Sequence, residues 1–110
     1  MEGYTLINEL NAAASELDSS VMELGFCGTE LAHAEYNYKT ALRQTALRLK
    51  DEGMAVTLIQ LTVYGDEAVA DKRLKRDIAE AEYKTVQEKI NAIKLKCKLL
   101  DAQLTREWGN

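Results

Sequence analysis

The chain has 110 residues, 29% of them charged and 46% apolar, with a net charge of −4 and no proline. That length fits one domain with a modest core, and the composition without proline suits long uninterrupted helices and argues against a loop-rich or disordered chain. The charge is uneven: residues 1–42 carry one basic and seven acidic side chains, residues 43–76 seven and five, and residues 77–110 six of each, so the middle of the chain is its basic part.

A first helix is expected over about residues 5–50. A seven-residue repeat places Ile7, Ala14, Val21, Gly28, Glu35, Leu42 and Leu49 at one seam position and Leu10, Leu17, Leu24, Leu31, Tyr38 and Thr45 at the other, which is the pattern of a coiled-coil helix. Glu9, Glu16, Glu23 and Glu30 repeat on its outer side, and Ala13, Ser20, Cys27, Ala34 and Ala41 keep one flank small. Gly25 and Gly28 each weaken a helix interior by roughly 1 kcal/mol relative to alanine. Because the step from Leu24 to Leu31 keeps register across both glycines, one continuous helix is favoured over two.

A connector is expected over about 51–65. Asp51-Glu52-Gly53 ends the first helix, with Gly53 available as a left-handed cap. The apolar, partly β-branched stretch from Met54 to Tyr64 has no second strand to pair with, so it reads as a short helix starting near Ala55. Gly65 closes it, and Asp66 reads as the N-cap of a last helix over about 66–107, with Glu67 favourable in its first turn. There Tyr83, Ile90, Cys97 and Leu104 alternate with Ala79, Val86, Ile93 and Leu100 in 4–3 steps. The two long helices should pack antiparallel, which brings Glu16 and Glu23 level with Lys89, Lys94 and Lys96. Each exposed pair adds less than about 1 kcal/mol, so charge selects orientation while the apolar seam supplies stability.

The last helix also has a second apolar strip, Ala92, Leu95, Leu99 and Ala102. A helix apolar on two sides needs two neighbours. The fold expected is therefore all-α: a long antiparallel, coiled-coil-like hairpin with a short helical connector at the tip, dimerising into a four-helix bundle as a homo-oligomer. The alternative is a set of unconnected surface leucines.

Arg43, Arg48 and Lys50 close the first helix and Lys72, Arg73, Lys75 and Arg76 open the last, which predicts a basic tip with Tyr64 in the connector. Such a tip could hold phosphates or stack on a base. It could equally be a solvated end paired with Asp51, Glu52, Asp66, Glu67 and Asp71, and an acidic chain is an unusual nucleic-acid binder. His33 falls opposite the seam with no relay partner. Asp77, Glu80 and Glu82 lack the Glu-x-x-His pattern of a di-metal bundle, and there is no phosphate loop or Gly-x-Ser-x-Gly turn. Cys27 and Cys97 have no C-x-x-C spacing, and one histidine cannot complete a Cys/His zinc site. Offset by about 10 Å along a hairpin, the two cysteines read as reduced core residues. No enzyme, metal or cofactor is expected.

The apolar runs are too short for a membrane span, and Met1-Glu2-Gly3 opens without the features of a secretion signal, so a cytoplasmic protein is expected. Three phrases carry a resemblance: Gly53-Met54-Ala55-Val56-Thr57-Leu58-Ile59, Arg76-Asp77-Ile78-Ala79-Glu80-Ala81-Glu82-Tyr83-Lys84, and the tail from Ile90 through Leu100 to Arg106-Glu107-Trp108-Gly109. Over about residues 7–108 the chain resembles small, mostly uncharacterised helical proteins encoded by phages and prophages of Gram-positive bacteria. The resemblance implies a phage protein in the host cytoplasm, acting beside replication or recombination functions. The secreted Trp-x-Gly helical hairpins do not fit, because the turn here holds Tyr64-Gly65-Asp66. The expected function is thus a non-enzymatic accessory role through an unidentified protein partner. Direct nucleic-acid binding at the tip, or inhibition of a host defence or replication protein, are the alternatives.

Overall fold

A computed structural model describes the backbone of residues 2–108 and the side chains of 3–108; the expectations that touched Met1, the Glu2 side chain and Gly109 lie outside these. The chain is all-α, with α1 at Glu2–Asp51, α2 at Val56–Thr62, a 3-10 turn at Val63–Gly65 and α3 at Glu67–Trp108. None of these helices is long and apolar enough to cross a membrane. α1 runs unbroken through Gly25 and Gly28.

The ends of the helices are set by local chemistry. Gly53 has φ +89°, its N–H donates to the carbonyl of Lys50 at 3.0 Å, and the Met54 N–H donates to that of Leu49 at 3.1 Å. This pair of bonds is a Schellman cap, and only glycine takes the left-handed turn at little steric cost. Met54 then packs on the cluster containing Leu49, which supplies the apolar contact the motif usually has. At the start of α3, Asp66 is extended, and its Oδ1 accepts from the N–H groups of Ala68 (3.0 Å) and Val69 (3.4 Å). It is the N-cap expected from the sequence. Arg48 reaches from α1 to the other oxygen of that carboxylate at 2.9 Å.

Two compact units can be distinguished, one formed by Met1–Phe26 with Lys84–Asn110 and the other by Cys27–Tyr83. In the first, Leu6, Ala13, Ile93 and Leu100 form the buried cluster, with Leu10, Leu17, Cys97 and Leu104 packed on it. Glu23 meets Lys89 at 3.2 Å, and the indole of Trp108 lies over Gly3, where an added Cβ would overlap the ring. Advancing along α1 from Gly3 to Glu23 therefore matches retreating along α3 from Trp108 to Lys89, so the helices are antiparallel. In the second unit Tyr38, Leu49, Ile59, Val63 and Val69 form the buried cluster. Ile59 and Val63 come from the connector, which lies against the two helices it joins.

The seam of α1 differs from the expected one. Ala14 and Val21 are exposed, whereas Leu6, Ala13 and Ser20 are buried and Cys27, Ala34 and Ala41 partly so. Leu10, Leu17, Leu24, Leu31, Tyr38 and Thr45 hold their expected position. The departure is confined to that stretch, because Ile7, Gly28, Glu35, Leu42 and Leu49 of the expected row are buried or partly buried. Size explains it: Ala13 and Ser20 admit the partner helix more closely than a valine would. Gly28 fits the same reasoning, since a Cβ on it would sit 3.4 Å from the Tyr83 ring. On α3 every expected seam residue from Ala79 to Leu104 is buried or partly buried.

Candidate interaction surfaces

In the first unit the notable surface is the side of α3 turned away from its seam. At about 100° per residue, Ala92, Leu95, Leu99 and Ala102 lie roughly 200° around the helix from Val86, Ile90, Ile93 and Leu100. Leu95 is 57% and Leu99 61% exposed, and the two alanines are exposed as well. The four residues singled out from the sequence therefore share one open apolar face. Neither cysteine is in a disulfide among the described residues, and both are partly buried. Ser20 is 1% exposed, and its Oγ has no hydrogen-bond partner among the described residues.

In the second unit the basic residues are less alike than the sequence suggested. Arg48 donates to Glu52 at 3.2 Å and to Asp66 at 2.9 Å, and Lys75 pairs with Asp71 at 3.2 Å. Arg76 is not part of the tip. Nine residues into α3, about 14 Å along the axis, it donates to Glu35 of α1 at 2.8 Å and to Asp77 at 2.8 Å, and its guanidinium lies 4.9 Å from the centroid of the Tyr38 ring. It is held between the helices because the Tyr38 face and the Glu35 carboxylate together accommodate a planar cation. The hydrogen bond from Arg76, then that from Lys39, holds the Glu35 carboxyl below its ordinary range, and the bonds to Glu35 and then Asp77 raise the pKa of Arg76. Arg43, Lys50, Lys72 and Arg73 make no ion pair among the described residues, and Tyr64 is exposed beside Gly65.

His33 is exposed and borders a groove of about 330 Å³ lined also by Glu30, Asn37, Lys72, Lys75, Ile78 and Glu82. Among the described residues no group of three or more His, Cys, Asp or Glu side chains is placed to hold a metal ion. The connector adds a surface the sequence reading did not single out. α2 buries Ile59 but leaves Val56, Leu58 and Leu61 exposed, Leu61 at 81%, and its unbroken apolar run was the available signal.

No known protein family, curated protein or solved structure matches this chain.

Proposed function

We propose that the chain is a non-enzymatic interaction protein, a phage-encoded accessory factor that works in the host cytoplasm beside replication or recombination, as a homo-oligomer joined to a further protein partner. The observation that carries the interaction reading is the open face of α3. Its seam is satisfied by α1, yet Leu95 and Leu99 remain more than half exposed with small residues on either side, and an apolar face left open on a helix whose other face is already packed marks an association surface. The phage origin rests on the resemblance of the Gly53–Ile59, Arg76–Lys84 and C-terminal phrases.

Nucleic-acid binding at the tip is the weaker reading. Arg48, Lys75 and Arg76 are engaged by carboxylates, which lowers the positive field available to phosphates, and the chain is acidic overall. The test is capture of the tagged protein from phage-infected Gram-positive cells, with and without nuclease, beside a Leu95→Glu, Leu99→Glu variant. The reading expects a stoichiometric, nuclease-resistant protein that binds the homo-oligomer and is therefore lost with it in the variant. Capture of nucleic acid alone, lost on nuclease treatment and indifferent to the variant, would overturn it.

A further inference from the structure

We propose that the open face of α3 pairs with the same face of a second copy, antiparallel, about a two-fold axis level with residue 97. This rests on the reading of that face as an association surface and adds the partner and the register. Glu88, Ala92, Leu95, Leu99, Ala102 and Arg106 follow one another in steps of four and three, the spacing of a heptad seam, and all fall on the side of α3 away from α1. Taken from either end the order is charge, small, leucine, leucine, small, charge.

A strip of that kind is its own complement when reversed. With the axis at residue 97, Leu95 lies opposite Leu99 of the partner subunit and Ala92 opposite Ala102 of the partner subunit. Glu88 then lies opposite Arg106 of the partner subunit, so each end of the interface joins unlike charges. A parallel, in-register pair would instead place glutamate on glutamate at one end and arginine on arginine at the other. The charges at the ends therefore choose the antiparallel arrangement, while the leucines provide the association. Lys96 and Lys98 flank the strip and come near their own copies at the axis, which lowers the affinity. Both are exposed, and their long stems can carry the ammonium groups out into solvent.

The test is sedimentation of wild type, Glu88→Arg, Arg106→Glu and the double variant Glu88→Arg, Arg106→Glu, with circular dichroism to verify that helix content is unchanged. Either single reversal puts like charges together twice per dimer and should raise the dissociation constant roughly tenfold. The double variant should recover wild-type affinity to within about threefold, by the same arithmetic. A wild type that dimerises while both single variants dimerise equally well would overturn the register and leave the association surface standing. A wild type that stays monomeric at roughly tens of micromolar would overturn the association surface itself.

Discussion

Gly25 and Gly28 of α1 and Gly53 of its cap provide a graded test of the helical account, because the structure gives each a different surrounding. Gly25 lies inside α1, and apart from its own helical turn nothing comes within 4 Å of the place a Cβ would occupy. Alanine there gains helix propensity and meets nothing, which is worth about 1 kcal/mol, or a rise in melting temperature of roughly 4–8 °C. At Gly28 the same gain is opposed by the Tyr83 ring, 3.4 Å from the new methyl, so the ring must yield slightly and the net change should be smaller than at Gly25. Gly53 has open space but φ +89°, and alanine there should cost about 1–2 kcal/mol. Urea unfolding followed by circular dichroism at one fixed protein concentration measures all three. The expected order of stability is Gly25→Ala, then Gly28→Ala, then wild type or nearly level with it, then Gly53→Ala. A destabilised Gly25→Ala would mean that α1 is not a continuous helix at that point, and equal effects at Gly25 and Gly28 would remove the close contact with Tyr83.

Three further outcomes are expected. Ser20→Ala should stabilise the fold by about 1 kcal/mol, since it removes a buried hydroxyl without a partner; urea midpoints check it. Glu35 is held below its ordinary pKa of about 4.5 when folded, so it binds fewer protons in the folded chain than in the unfolded one, and its stabilising contribution is present above that pH and lost as pH falls through the folded value. Thermal melts between neutral and acid pH should therefore show a steeper loss for wild type than for Glu35→Gln, and parallel curves would contradict the Arg76 pairing. Replacing Lys72, Arg73, Lys75 and Arg76 by glutamine should leave DNA binding as weak as in wild type at about 50 mM salt, whereas a tight wild-type complex with a steep salt dependence lost in the variant would reverse the ranking of the two functions.

Much of the fold was legible because its signals are local. The Leu10 to Thr45 row, Gly53 and Asp66 each act within a turn or two of their own position, and each does in the structure what its residue type predicts. The row beside Leu10 departs from expectation only at Ala14 and Val21, where hydropathy points the wrong way: Val21 is more apolar than Ser20, yet Ser20 is buried and Val21 exposed. What decides that row is how closely α3 approaches, a property of two segments and not of one. Arg76 was misread for the same reason. Charge counting assigned it to the tip with its neighbours in sequence, but its partner Glu35 is 41 residues away and only packing brings them together. The open strip on α3 was visible beforehand because its spacing is helical and its residues lie within one element.

The most direct test of the central claim, that the outer face of α3 is an association surface, is sedimentation equilibrium of wild type beside Leu95→Glu, Leu99→Glu over a concentration series reaching roughly tens of micromolar. The account predicts a reversible homo-oligomer, a dimer in its simplest form, for wild type and a helical monomer for the variant, because both leucines are exposed within one chain and tolerate charge there. A wild type that is monomeric throughout, or a variant that associates as well as wild type, would contradict it.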